Sequence, residues 1–255
     1  MKVSGQLRSR VLAREWVPGT WLNLGSPITA EIAGLLGFDW VLIDHEHGAG
    51  GDDTMLAQLQ AVASTPAVPI VRIAANEAPR FKRALDMGAH GIMAPYVSTA
   101  AEAAAAVAAV RYPPHGTRGV AKFHRGVAFG GDFEEYYLHV HEWLLTVVQL
   151  ETPEAIKNAD DIAAVDGADV LFVGPTDLSY NMGMRDQIES PAFVEALKRV
   201  VTAAKNRGKA AGILVHNAAL VPKCRDWGFT FVALGSDGGA VRAGLQQFHT
   251  ALRAK

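Results

Sequence analysis

Eight short apolar runs recur along the chain, most of them rich in β-branched or aromatic residues: GTWLNLG at 19–25, FDWVLID at 38–44, VPIVRI at 68–73, GIMAPYV at 91–97, LLTVVQLE at 144–151, ADVLFVG at 168–174, KAAGILV at 209–215 and FTFVALG at 229–235. Runs that are apolar throughout, rather than alternating, mark strands buried on both faces, as in a parallel sheet under a layer of helices. Helical segments lie between most of them. The stretch TAAEAAAAVAAVRY at 99–112 is alanine-rich and begins with Thr99 and Glu102 at capping-box spacing. In TPEAIKNADDIAAV at 152–165, Thr152 stands as N-cap and Pro153 takes the first helical position, where its missing N–H is no loss.

Eight strand–helix units in 255 residues predict an α/β fold, a (β/α)8 TIM barrel forming one domain over residues 1–255. A doubly wound open sheet would carry a glycine-rich phosphate loop after its first strand. GSPITAE stands there instead. The one long irregular stretch, PPHGTRGVAKFHRGVAFGGDFEEYY at 113–137, has a length common in lids and interface segments.

Composition narrows the function. The chain is 49% hydrophobic, enough for a sizeable core, and its single cysteine, Cys224, excludes a disulfide framework or a cysteine-based zinc cluster. With 24 Lys and Arg against 26 Asp and Glu, the net charge of −2 offers no field for nucleic acid or anionic membrane. The opening MKVSGQLRSRVLAREW has no apolar core of a signal peptide, and no window is long enough to span a membrane. A soluble, cytoplasmic enzyme acting on small molecules is the expectation.

In a barrel the chemistry belongs at the C-terminal ends of the strands. There the sequence places Asp44, His45, Glu46 and His47 after the second run, Arg72 in the third, Gln149 and Glu151 in the fifth, Asp177 in GPTDLS after the sixth, and Leu214 and His216 at the end of the seventh. Alternation in LLTVVQLE points Val147, Gln149 and Glu151 to the barrel axis. A carboxylate there needs a partner, either Arg72 or a cation shared with Asp177, and the second reading is favoured. Two oxygen donors are too few for a closed zinc site and suit Mg2+ or Mn2+, with water and substrate completing the shell. The amides around Thr176 and Asp177, at a helix or turn start, suit a substrate carboxylate. Of His45 and His47, either one paired with a neighbouring carboxylate would make a general base, and the pattern leaves open which. No lysine falls on a strand where a Schiff base would need it, Lys122 in the long loop being the one residual candidate.

The ordered set FDWVLIDHEH, PIVRI, RALDMGAHGIMAPYVSTAAEA, RYPPHGTRGV, VVQLETPEAI, DVLFVGPTDLS and GKAAGIL resembles the HpcH/HpaI aldolases, class II pyruvate aldolases of the 4-hydroxy-2-oxoheptanedioate aldolase type, over nearly the whole chain. The resemblance implies a lyase that reversibly cleaves 4-hydroxy-2-oxo acids to pyruvate or hydroxypyruvate plus an aldehyde. It implies Glu151 and Asp177 as ligands of a divalent cation, Mg2+ or Mn2+ with Co2+ as a further option, and Arg72 as the contact to the pyruvyl oxygen. His47 becomes the catalytic histidine with Asp44 as its partner. Gln149, Thr176, Asp177, Leu214 and Trp21 line the substrate pocket, and Glu46 and Asp86 support from behind. It further implies a homohexamer whose last helix is exchanged between subunits. Two other readings stand beside it: a phosphosugar-binding barrel, suggested by GSDGG at 235–239, and a non-catalytic 2-oxo-acid binding protein.

Overall fold

The computed structural model describes residues 5–131 and 133–254; residues 1–4 of the opening stretch, Asp132 of the long insertion and Lys255 lie outside it. Eight strands pair in parallel and in sequence order, and the eighth returns to the first: β1 Val17–Leu22, β2 Trp40–Asp44, β3 Val68–Arg72, β4 Gly91–Ala94, β5 Leu145–Leu150, β6 Val170–Val173, β7 Ala210–Val215 and β8 Phe231–Ser236. Each of the eight apolar runs therefore becomes one stave of a closed barrel. Among the described residues twelve α-helices accompany them: α1 Gln6–Leu12, α2 Pro27–Leu35, α3 Asp52–Val62, α4 Ala78–Asp86, α5 Ala100–Val110, α6 Phe133–Trp143, α7 Pro153–Lys157, α8 Ala159–Ala164, α9 Pro175–Asn181, α10 Pro191–Asn206, α11 Val221–Trp227 and α12 Asp237–Arg253.

The caps expected from sequence form. Thr99 and Glu102 complete a capping box on α5, and Thr152 accepts the Ala155 amide ahead of Pro153. The stretch at 152–165, expected as one helix, is two, α7 and α8. Asn158 leaves the helical region between them (φ −90, ψ 9), and its side-chain amide donates to Ser98 O at 2.8 Å. The hydrophobic pattern did not foresee α1. It closes the bottom of the barrel, with Leu7 and Val11 packed among the inward residues and Arg8 donating to both oxygens of Asp169 at 3.0 and 2.9 Å.

Alternation splits the apolar residues into two cores. Outward residues such as Ile43, Val71, Ile92 and Val148 pack under the helices, while Trp21, Trp40, Leu42, Ile70, Met93, Val147, Phe172, Phe231 and Ala233 fill the barrel. Trp40 stacks on Phe231 with centroids 4.0 Å apart. Glycine at position 19 makes room for that indole, since a Cβ there would stand 2.2 Å from it. This filled interior is the floor on which the site rests.

The long insertion corrects the lid reading. It follows α5, which runs back from the strand C-termini, and so lies at the opposite end of the barrel. Arg125 pins it there, donating to Met87 O at 2.8 Å and Leu59 O at 3.2 Å, near the C-terminal ends of α4 and α3. Among the described residues no helix is long and apolar enough to cross a membrane.

Candidate active site

Inward alternation carried one step past each strand end produces a ring at the mouth. Asn23 continues β1 after Trp21, Glu151 continues β5 after Gln149, Gly174 continues β6 after Phe172, and His216 continues β7 after Leu214. Asp44 and Arg72 close β2 and β3 at directly paired positions. On β8 the register against β1 gains a residue between Ala233 and Ser236, at Gly235 (φ +64), and this bulge turns Ser236 inward. The ring encloses a cavity of about 410 Å³.

Asp44 and Arg72, neighbours across the ladder, form a bidentate pair: Nε donates to Oδ1 at 2.9 Å and Nη2 to Oδ2 at 2.7 Å. Burial pushes the Asp44 carboxyl up, but the Arg72 hydrogen bonds and charge, with the Glu46 and His47 amides, outweigh burial and hold it below the usual carboxylate range. Arg72 Nη1 also stands 2.8 Å from Glu46 Oε2, an ion pair without hydrogen-bond alignment. One N–H on Nη2 and both on Nη1 are not engaged in a hydrogen bond, and the guanidinium lies 5.6 Å from the Trp21 ring centroid.

The expected pairing of the Asp44 carboxylate with the His47 ring does not form. Asp44 is taken by the stronger bidentate partner, and its Oδ1 instead accepts the backbone amides of Glu46 and His47 at 3.1 and 3.3 Å. It fixes the turn that carries His47, whose ring is 67% exposed at the mouth, 4.0 Å from Glu46 Oε1. Asp44 positions His47 through the main chain.

Glu151 is 1% exposed, and neither of its carboxylate oxygens makes a hydrogen bond. Burial first, then the charges of Asp177 and Glu46, push its pKa up to about 8 against the weaker pull of Arg72; the Tyr96 amide faces it without bonding geometry. Gly174 lets the start of α9 approach it closely, because a Cβ there would stand 2.3 Å from Glu151 Oε1. Asp177, in the first turn of α9, accepts a hydrogen bond from the Tyr96 hydroxyl at 3.0 Å. Among the described residues no group of three His, Cys, Asp or Glu side chains closes on one point. An orphaned buried carboxylate, with a second one, Asp177, that lines the adjoining cavity, fits a hard divalent cation whose remaining positions go to water and substrate. The Gln149 Oε1 is also buried without a partner, and Thr176 lies on the same wall.

Tyr96 was missed from sequence. The β3–β4–β5 ladder breaks at Pro95 and resumes where the Val97 amide donates to Gln149 O at 2.9 Å, and between them Tyr96 adopts a left-handed backbone (φ +52) that aims its ring at Asp177. Burial, followed by Asp177, pushes its phenol up to about 12, so it remains a donor.

Across the mouth, GSDGG proves to be a structural turn. Asp237 Oδ1 accepts the amides of Asn23, Leu24 and Gly238 at 2.8, 3.3 and 2.8 Å, and Ser236 Oγ accepts that of Gly239 at 3.1 Å. The donors that a phosphate would need are occupied. Trp21 and Leu214 line the cavity, as expected.

Asp86 is a correction. It ends α4 at the far end of the barrel, where Arg118 Nη2 donates to it at 2.7 Å, so within this chain it does not stand behind the mouth. Lys122 also lies on that far insertion, 3.9 Å from Glu134, away from the mouth. His45 faces outward into a small cleft with Asp52, Arg80 and Arg83, and burial lowers its pKa.

A family model described as HpcH/HpaI aldolase/citrate lyase matches residues 18–243. A 5-keto-4-deoxy-D-glucarate aldolase of Salmonella arizonae is 41% identical over 229 residues, covering 90% of this chain and 89% of that protein. The enzyme of the same description from Salmonella paratyphi C is 39% identical over 242 residues, 95% and 94% of the two chains. Among solved structures, an HpcH/HpaI aldolase/citrate lyase family protein from Burkholderia cenocepacia superposes with a TM-score of 0.94 at 34% identity, over 98% of this chain and 100% of that one.

Proposed function

Because the chain belongs to the HpcH/HpaI aldolase/citrate lyase family, metal-dependent aldolases that release pyruvate and an aldehyde, we propose that it cleaves a 4-hydroxy-2-oxo acid related to 5-keto-4-deoxy-D-glucarate at the mouth described above. The observation that carries the residue assignment is Glu151, buried beside Asp177 with both oxygens unpartnered. A divalent cation held by these two residues, Mg2+ or Mn2+ by the hardness of the donors, supplies Lewis acidity to the 2-oxo acid when bound. Arg72 turns its free N–H groups to the oxygen that gains charge as the bond breaks, held in place by Asp44 and Glu46. Gln149 and the Thr176 region orient the substrate's carboxylate end, over the apolar floor of Trp21 and Leu214.

His47 carries the proton. The 4-hydroxyl loses a proton, the C3–C4 bond breaks, C4 departs as an aldehyde, and C3 takes up a proton to become the methyl of pyruvate. No electron is lost to an outside acceptor. A ring free at the mouth, on a turn fixed by Asp44, can collect the hydroxyl proton.

The quaternary proposal is a hexamer with α12 exchanged. Val241, Leu245, Phe248 and Leu252 form one exposed stripe on α12, and Ile28, Ile32, Leu35 and Leu36 form one on α2, beside a cavity of about 580 Å³.

The test is release of pyruvate from 5-keto-4-deoxy-D-glucarate, followed with lactate dehydrogenase. We expect dependence on Mg2+ or Mn2+, loss on chelation, and a fall of about 100-fold or more in His47→Ala with cation affinity near that of the parent. Absence of pyruvate from the cation-loaded protein would overturn the reading in favour of a binding protein that keeps the pocket.

A further inference from the structure

The ring is chemically divided. The staves β2, β3, β5 and β6 bring Asp44, Arg72, Glu151 and, just beyond, Asp177, all ionisable. The staves β7, β8 and β1 bring His216, Ser236 and Asn23 to the same level of the same cavity. Nothing in the cleavage chemistry described above uses these three.

Each of them presents a donor. Asn23 Oδ1 accepts the Gly238 amide at 3.3 Å, which fixes the orientation of its side chain and leaves the NH2 to the cavity. Ser236 Oγ accepts the Gly239 amide at 3.1 Å, so its hydroxyl hydrogen is free to donate. His216 is exposed at the rim and has no hydrogen bond or ion pair among the described residues. The one carboxylate on this side, Asp237, turns away, with Oδ1 on three amides and Oδ2 on the Thr29 hydroxyl at 2.7 Å. The wall therefore offers donors and no competing negative charge.

We infer that this wall is the subsite for the aldehyde half of the substrate, and that Asn23 and His216, with Ser236, bind the oxygen atoms of an aldehyde bearing a carboxylate or hydroxyl. The inference rests on the aldolase reading above. The 2-oxo acid end is held on the charged side, so the rest of the substrate extends across the cavity, over Leu214 and Trp21, to the donors. An alkyl tail there would strip water from these donors and give nothing back, which is how a polar wall rejects an apolar analogue.

The experiment compares kcat/KM for 5-keto-4-deoxy-D-glucarate with that for 4-hydroxy-2-oxohexanoate, whose departing aldehyde is purely alkyl. The parent protein is expected to favour the first. Asn23→Asp keeps the oxygen that accepts the Gly238 amide, so the turn is retained, but replaces the NH2 with a carboxylate oxygen. His216→Leu removes the second donor. Each substitution is expected to lower the ratio of the two specificity constants about 10-fold, chiefly through KM of the diacid. An unchanged ratio, or equal losses on both substrates, overturns the assignment, the second outcome marking a structural role. A parent protein that cleaves both substrates equally well overturns it too. If the parent releases pyruvate from neither, the aldolase reading fails first and takes the subsite with it.

Discussion

The two arcs of the ring are built on opposite principles. On the charged arc, Asp44 and Arg72 satisfy one another by two hydrogen bonds, whereas Glu151 is left with none and is held up to about 8 by burial and its acidic neighbours. On the neutral arc Asp237 engages the surrounding amides, so the turn is settled without any ligand. The difference teaches where binding energy enters. The charged arc leaves Glu151 unpartnered in the protein alone and, on the proposed reading, is completed by a cation, so there its residues would set affinity and reactivity. The neutral arc is complete in itself and has only side-chain donors to offer, so its residues discriminate between substrates.

The sharpest break of that contrast is Arg72→Met. It leaves Asp44, 4% exposed, without its bidentate partner, and loss of one member of a buried pair costs about 3–5 kcal/mol. Urea denaturation should register that loss together with abolished cleavage. A stability within about 1 kcal/mol of the parent would mean that the pair does not hold this arc together.

Glu151 comes next, through pH. Its pKa in the fold, about 8, is raised above the ordinary 4.5, first by burial and then by Asp177 and Glu46, with Arg72 opposing. The folded protein thus binds the proton more tightly than the unfolded chain. The associated stability is fully present below about pH 4.5 and is lost as pH rises through 8. Glu46, also raised by burial, acts in the same direction. Cation-free protein should lose about 2–4 kcal/mol between pH 5 and pH 8.5 in urea titrations. Glu151→Gln should remove most of this slope, and saturating Mg2+ should flatten it in the parent. A slope identical in parent and variant would place the titration elsewhere.

The asymmetry between the arcs also governs what was legible in the sequence. Continuous apolar runs marked all eight staves, because they are short, mostly rich in β-branched or aromatic residues, and separated for the most part by helical segments. Alternation in LLTVVQLE led to Glu151, since a carboxylate in a buried row stands out. The same alternation runs through GTWLNLG and KAAGILV into Asn23 and His216. Asn23 went unread there and His216 was placed at its strand end without a role, because an asparagine and one histidine among nine are unremarkable without knowing that strand ends meet. Tyr96 was out of reach for a different reason: its direction depends on a left-handed backbone at a ladder break, which no residue pattern announces. Asp86 is instructive for its place within this chain. Helices in a barrel run against the strands, so the last residue of α4 must lie at the end remote from the mouth.

Two further substitutions sharpen the charged arc without unbalancing it. Gly174→Ala places a methyl in the space beside Glu151 Oε1 and should weaken Mn2+ binding about 10-fold in a direct titration. Parent-like affinity there would show that the cation approaches from another direction. The mildest change is Tyr96→Phe. It removes only the hydroxyl that donates to Asp177 Oδ1 and keeps the ring, the packing and the left-handed backbone. Asp177 then keeps its place on α9 but loses the bond that fixes its rotamer. Mn2+ affinity should fall about 5-fold, the roughly 1 kcal/mol of one hydrogen bond made by a half-exposed hydroxyl, with thermal stability close to the parent's. The separation of these two readouts is the point. A Tyr96→Phe protein that loses stability but not affinity would make the strained residue a packing element, whereas lost affinity at constant stability makes it the support on which the second carboxylate of the charged arc rests.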